Sequence, residues 1–433
     1  MEREQFGSRF GVLVALAGSA IGLGNLWRFP YMVKEYGGAA FILVYIVFVF
    51  VLCLPILMSE FMIGRRSRSN AFRAFDKLAP GTKWKWTGVL MVITPTIILS
   101  YYSVIGGWCL NYLVSPDKVL GEFISSTPAP LIGHSIFLLV TAIIVAKGVE
   151  KGIEKFGKIM MPVLFILVII ITLRSMTLNG AQEGINYLFN PDFSKITPEV
   201  CAAALGQAFF SLSIGVGTVL TYASYVNKSY NIARSSIATV TADLIFALIA
   251  SCAIMPAVFA FGLETSEGPG LVFETLPFIF SKMPFGKLIA LAFFFTLTMA
   301  ALTSSISMFE VGVAYFSEEK KISRKKAAAI VFCIAWVTGV LCSLSFGSLS
   351  GIKLCGNTIF NFCDKLCSNF LMPLGGLLMV LFVGWKLKKN DVSDEFTNGG
   401  TLPRNARYFN LVYFLIRYLA PIAVLIIFIT NLI

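Results

Sequence analysis

Runs of about twenty apolar residues recur along the whole chain, and a run of that length crosses a bilayer as an α-helix. This one feature excludes most folds. In lipid every backbone N–H and C=O must pair within protein, so a spanning segment is a helix or a strand of a closed barrel. The apolar residues here are continuous and do not alternate with polar ones, which excludes barrel strands. A chain that is 57% hydrophobic and 13% charged is also neither disordered nor a water-soluble globule. The runs predict eleven spans, at 10–34, 39–63, 88–113, 131–147, 152–174, 199–225, 234–262, 286–317, 326–346, 355–385 and 409–432. The first lacks a small-residue cleavage pattern and carries Asn25, Arg28 and Pro30, so it reads as a working helix and not as a removed signal peptide.

The net charge of +12 is a membrane signal, because its distribution sets an orientation. With the N-terminus inside, 25 of the 35 basic residues fall on the cytoplasmic side, including the clusters Arg65 to Lys85 and Lys320 to Lys326. Only seven, Lys34, Lys118, Arg174, Lys195, Lys282, Lys287 and Lys353, fall in outer loops. The expected location is the inner (plasma) membrane, multi-pass, with the C-terminus outside. No soluble basic domain exists to present the charge to nucleic acid. Nine cysteines lie mostly within spans and lack metal-ligand spacing. Cys363 and Cys367, one helical turn apart, read as apolar packing, and the one histidine, His134, as structural.

Glycine interrupts two spans at matching places. Span one contains Gly18-Ser19-Ala20-Ile21-Gly22-Leu23-Gly24-Asn25, and span six Ser211-Leu212-Ser213-Ile214-Gly215-Val216-Gly217. Each opens a set of five spans. An odd number per set sends the second set into the membrane from the opposite side, and broken helices in inverted repeats mark a transporter's central site. The expected organisation is one transmembrane domain, with repeat one at 1–175, repeat two at 199–388 and an additional helix at 409–432. Small-residue helix packing is the competing reading of each glycine cluster taken alone. In span five, Gly152 and Pro162 are separated by nine residues; that end either unwinds to admit water or carries a static proline kink.

Ionisable side chains inside lipid are costly, so each needs a reason. Arg28, Glu60, Asp243, Glu310, Asp364, Lys365 and Arg417 fall within or at the ends of spans. The segment from Gly18 to Pro30, with Thr221-Tyr222-Ala223-Ser224-Tyr225 and Thr303-Ser304-Ser305, closely resembles the signatures of the neurotransmitter:sodium symporters, over essentially the whole chain. Eleven spans resemble the family's bacterial members, which lack the usual twelfth helix.

The resemblance implies an all-α membrane fold with a 5+5 inverted repeat, broken helices 1 and 6, and two sodium sites. Sodium 2 would use the carbonyls of Gly18, Ile21 and Ala300 and the hydroxyls of Thr303 and Ser304; those hydroxyls can instead bond back within their own helix. Sodium 1 would use Ala20, Asn25, Ser211 and Asp243 together with the substrate carboxylate. Chloride-dependent relatives have a neutral Asn at position 243. Here Tyr45, Gln207 and Ser211 remain, but Ala247 replaces an expected serine. The fixed carboxylate of Asp243 implies transport without chloride; cycling a proton through Asp243 is compatible with that. The substrate, an amino acid, would meet amides at Leu23 and Gly24, the Tyr102 hydroxyl, and carbonyls of Ala20, Phe210, Ser211 and Ser213. Its side chain would contact Ile98, Ile105, Phe210, Val216, Ser304 and Met308, an apolar lining that suits an aliphatic or aromatic side chain. Arg28 and Asp364 match the family's outer gate, and Arg3, Glu318, Phe6 and Tyr225 its inner one. Glu60 is expected to serve the backbone freed by the break in span six.

The reading is sodium-coupled symport of a hydrophobic amino acid by alternating access. No nucleophile–base pair or nucleotide-cradling motif points to an enzyme. A sodium-dependent sensor that binds without turnover would use the same residues. The partners are the amino acid, sodium ions and the lipid bilayer, with no nucleic acid; a homodimer is left open.

Overall fold

The structure, a computed structural model, describes residues 4–262 and 269–430. Among the described residues the chain is helical and forms no β-strand. Among the described residues nine helices are long and apolar enough to cross a membrane: Ala39–Ser67, Lys85–Val114, Pro128–Ala146, Val149–Met176, Ile232–Ala260, Gly286–Glu319, Arg324–Leu344, Ile359–Lys386 and Pro403–Ile426. Span one is a pair, Arg9–Ala20 and Gly24–Glu35, bent by 51°. Span six is two helices, Pro198–Ser211 and Thr218–Ala223, flanking residues 212–217. The eleven expected crossings are all present, and spans one and six each open a set of five. Some ends differ from hydropathy. Span eleven starts at Pro403, not 409, because proline suits a first helical turn and the polar residues after it extend the helix out of the apolar run. Span ten starts at Ile359, not 355, because Cys355 and Gly356 take left-handed backbone and Thr358 caps the helix.

Prolines punctuate these helices in a regular way. The π-helical turns Gly24–Arg28, Val49–Cys53, Leu271–Thr275, Leu366–Leu371 and Leu415–Leu419 each end two residues before a proline. Proline lacks an N–H and its ring crowds the carbonyl four residues back. A π turn relieves both by shifting the ladder one residue, and it rotates everything that follows.

The two breaks are built differently. In span one, Ile21 turns extended (ψ 109) after donating to the Ala17 carbonyl. In span six, Ser213, Gly215 and Gly217 have φ of 51, 78 and 80°. Glycine takes that left-handed backbone without penalty; serine does not. The Ser213 hydroxyl donates to the Ser19 carbonyl at 3.2 Å, tying one break to the other. The Gly215 N–H donates to Glu60 Oε1 at 2.7 Å, so span two satisfies backbone freed in span six. On its other side Gly215 lies against span ten: an added Cβ would stand 2.1 Å from the Met372 carbonyl oxygen.

Spans three and eight pack on each other and are the most buried, whereas spans five and eleven turn two-thirds of their length outward. Ile159, Ile166, Ile170 and Leu173 on span five are exposed, as a lipid-facing stripe requires.

Two glycines in span six give a matched test. Gly215→Ala combines a left-handed residue, worth ~1–2 kcal/mol, with a backbone clash. Gly206→Ala has open space around it and a helical gain of up to ~1 kcal/mol. Thermal unfolding in detergent is expected to fall by several degrees for the first and to hold or rise for the second.

Candidate ion and substrate site

The break in span one faces a turn of span eight. An unbroken helix would give the Gly22 N–H to the Gly18 carbonyl; here it donates to Asn25 Oδ1 at 2.9 Å. The Gly18 and Ile21 carbonyls turn instead toward span eight. Thr303 Oγ1 lies 3.2 Å from the Ile21 oxygen and 2.8 Å from that of Ala300. Ser304 Oγ lies 3.5 Å from the Gly18 oxygen and 3.4 Å from that of Ile21. Five oxygens thus converge with only two hydroxyl protons among them. Thr303 does bond back to Ala300 within its own helix, but both hydroxyls also reach across to span one. Buried oxygens in such excess suit a hard monovalent cation.

A second polar cluster lies between the breaks and span seven. The Asn25 amide donates to Asp243 Oδ1 at 2.7 Å and to Ser211 Oγ at 3.1 Å. Ser211 donates to the Asp243 carboxylate at 3.0 to 3.1 Å, and Tyr45 Oη lies 3.5 Å from Asp243 Oδ2. Gln207 donates to the Gly24 carbonyl at 3.3 Å, while its own Oε1 is buried without a hydrogen-bond partner. All five side chains are buried. Among the described residues this carboxylate's hydrogen-bond partners are all neutral, and an opposite charge beside it would offset the cost of burying it.

Beside both clusters is a cavity of about 30 Å³. Its lining includes ten of the twelve residues read from the sequence as substrate contacts: Ala20, Gly24, Ile98, Tyr102, Phe210, Ser211, Ser213, Val216, Ser304 and Met308. The other two, Leu23 and Ile105, line a larger cavity of about 580 Å³ on the Arg28 side, which shares Gly24, Tyr102 and Phe210. The Leu23 N–H donates to the Tyr102 hydroxyl at 3.3 Å, so the expected free amide is partnered here.

The two ends of the molecule differ. On the Arg28 side, Arg28 and Asp364 both line the larger cavity but do not pair: the guanidinium lies 4.4 Å from the centre of the Phe210 ring, a cation–π contact. The outer pair read from the sequence is therefore apart in this structure. On the opposite side, the Phe6 ring packs edge-on to Tyr222 and Tyr225, and its N–H reaches the Tyr225 carbonyl at 3.4 Å. Glu318 accepts from the Asn70 backbone and side-chain amides at 3.1 and 3.0 Å; Arg3 lies outside the described residues. Tyr225 donates to Glu310 at 2.6 Å, and Arg324 pairs with the same carboxylate, so Glu310 is a buried crosslink between spans.

Sequence reasoning missed three contributors. Glu154 accepts from the Gly7 N–H at 2.7 Å and the Ser8 hydroxyl at 2.8 Å, pinning the start of span one to span five. The end of span five, for which the sequence left unwinding and a static proline kink open, is wound here as the π turn Val149–Glu154, with Gly152 against the Ile144 carbonyl. An acid two residues after Gly152 was the available signal. Gly22 and Met372 also line the small cavity. Gly22 belongs to the quoted first-span motif; Met372 carried no signal, since only the fold brings span ten to this place. Arg417, without an account from sequence, lies 4.6 Å from the Trp385 ring, and its carbonyl accepts that indole N–H at 2.9 Å.

Comparison with known proteins agrees with this architecture. The sequence matches the Sodium:neurotransmitter symporter family over residues 3–119 and 126–433. An uncharacterized sodium-dependent transporter, YhdH of Bacillus subtilis (strain 168), is 41% identical over 437 residues, covering 98% of this chain and 96% of that one. An uncharacterized sodium-dependent transporter of Haemophilus influenzae is 35% identical, covering 100% of this chain and 98% of that one. The crystal structure of MhsT in complex with L-phenylalanine is similar with a TM-score of 0.91 and 43% identity, over 99% of this chain and 100% of that one.

The oxygen cluster at span eight is testable without a substrate. An ion that binds only the folded state raises the melting temperature. Sodium is expected to stabilise the wild type over potassium. Thr303→Val keeps the shape and removes an oxygen, and should raise the sodium needed for half of that shift about tenfold. An unchanged midpoint would contradict a cation at this place.

Proposed function

The chain belongs to the sodium:neurotransmitter symporter family, and from that premise we propose that it carries a hydrophobic L-amino acid inward with sodium, by alternating access and without chloride. The observation that carries this reading is the buried carboxylate of Asp243, hydrogen-bonded to Asn25 and Ser211, one from each break. Sodium 1 binds among Ala20, Asn25, Ser211 and Asp243. The substrate carboxylate completes that site and takes the N–H groups of Leu23 and Gly24 and the Tyr102 hydroxyl. Half-helix N-termini favour an anion there. The substrate ammonium meets the carbonyls of Ala20, Phe210, Ser211 and Ser213. Sodium 2 binds among Gly18, Ile21, Ala300, Thr303 and Ser304.

The charges then balance without an anion from solution. The fixed Asp243 carboxylate offsets one sodium, a role that chloride would otherwise fill. The apolar walls Ile98, Val216 and Met308 support a hydrophobic side chain, as does the L-phenylalanine held by the solved relative at 43% identity.

In this reading the Arg28 side faces outside and the Phe6 side the cytoplasm, as the basic-residue asymmetry requires. The structure then corresponds to a state with its large cavity toward the outside. Closure brings Arg28 from Phe210 to Asp364, with Phe210 and Tyr102 as the lid. Opening inward releases the contacts of Phe6 with Tyr222 and Tyr225 and those of Glu154 with Gly7 and Ser8.

Uptake of labelled amino acids into proteoliposomes, driven by an inward sodium gradient, tests the proposal. Saturable accumulation of aliphatic or aromatic amino acids is expected, unchanged when gluconate replaces chloride. Asp243→Asn should cut accumulation at least tenfold in gluconate, with partial recovery in chloride. Wild-type uptake that collapses without chloride would contradict the role of Asp243. Sodium-dependent binding without accumulation in tight vesicles would contradict transport itself.

A further inference from the structure

The small cavity is too tight for a large, aromatic side chain as it stands: at about 30 Å³ it is a small fraction of the 580 Å³ cavity beside it. A wall must move when substrate binds, and most walls are held. Ile98 and Val216 are β-branched and stiff. Tyr102 is tied to the Leu23 N–H, Ser213 to Ser19, and Ser304 to the carbonyls of span one. Phe210 lies beneath the Arg28 guanidinium until closure, and its rigid ring turns as a lid without changing shape. Ser211 is tied to Asp243, and Ala20, Gly22 and Gly24 have little or no side chain to move; the remaining walls, Met308 and Met372, are unbranched and flexible. Met308 points from the buried middle of span eight.

Met372 has somewhere to go. A third cavity, of about 320 Å³, lies between spans one, six and ten. Among its lining residues only Phe210 and Met372 also line the small cavity, so those two side chains are the partition between them.

The sequence of span ten explains why Met372 points there. Asp364, which lines the large cavity, is eight residues earlier. In a regular helix eight residues end about 80° past two full turns. Pro373 places the π turn Leu366–Leu371 between them, and its extra residue takes up about 100°, leaving the two side chains within about 20° of one face. The Met372 carbonyl against Gly215 fixes the backbone, so only the side chain is free to move.

We propose that Met372 is a specificity-determining residue: by swinging toward the 320 Å³ cavity its side chain admits large, aromatic substrate side chains to the central site. The inference rests on the proposed amino-acid site and deepens it. It also predicts a site with broad tolerance, since one flexible wall serves several substrate sizes.

The test is equilibrium binding of labelled alanine, leucine, phenylalanine and tryptophan to the full chain in sodium, for the wild type, Met372→Phe, Met372→Ala and the volume-matched Met372→Leu. A stiff ring at 372 should weaken tryptophan at least tenfold relative to alanine, the scale of a pocket altered by a few atoms. Met372→Ala should shift the same ratio several-fold toward tryptophan, and Met372→Leu should stay nearer the wild type. The ratio is read within each variant, so a general loss of stability does not move it, and Met372→Ala decides the matter if the phenylalanine variant fails to fold. A wild type that binds these amino acids, with a tryptophan-to-alanine ratio that stays within twofold in the variants, would overturn this inference alone. A wild type that binds none of them would overturn the proposed function and this inference with it.

Discussion

Two helices stop bonding to themselves in the middle of the membrane, and lipid offers nothing to the groups they release. Each freed N–H and C=O must find protein, or an ion, or a substrate. The structure answers with one local link and several between elements far apart in sequence. Gly22 N–H goes to Asn25, Leu23 N–H to Tyr102, Gly215 N–H to Glu60, and the Ser19 carbonyl accepts from Ser213. These links place spans two and three around the breaks, and the hydroxyls of Thr303 and Ser304 bring span eight to them. What they leave over, among the described residues, is five oxygens with two hydroxyl protons and a carboxylate hydrogen-bonded to neutral side chains.

This arrangement also accounts for the asymmetry between the two ends. The Phe6 side is held by direct contacts among the N-terminal segment, span five and span six. On the Arg28 side, a cation–π contact sits on a ring that is itself a wall of the central cavity. A contact of that kind is worth ~0.5–2 kcal/mol, which a substrate can outweigh. In the proposed function, ligand binding at Phe210 bears directly on where Arg28 sits, and only differential contact of that sort shifts a conformational equilibrium.

Much of this was legible in the chain. Continuous apolar runs gave the crossings, and glycines at matching positions in spans one and six marked the breaks. Hydroxyls at 303 and 304 stood out in an apolar span, and so did a lone carboxylate at 243. The structure gathers Thr303 and Ser304 on one side of the span-one break, and Asp243 with Asn25 and Ser211 between the two breaks. What escaped depends on rotation and long-range packing. Met372 lies on the face of Asp364 only because Pro373 inserts a π turn, and hydropathy does not register one extra residue. Glu154 is one acid among several near a basic helix end until the start of span one folds onto it. The stacking of Arg28 on Phe210 is a choice between two partners that a sequence names but does not rank.

The central claim is that one carboxylate of the substrate is shared with a sodium ion. Binding of labelled amino acid to the purified protein, titrated at a series of sodium concentrations, tests it most directly, because shared ligation makes the coupling reciprocal. The account requires substrate affinity to rise with sodium and sodium affinity to rise with substrate by the same factor, and requires Asn25→Ala to shrink that factor. Substrate affinity independent of sodium, in protein that binds both, would contradict it.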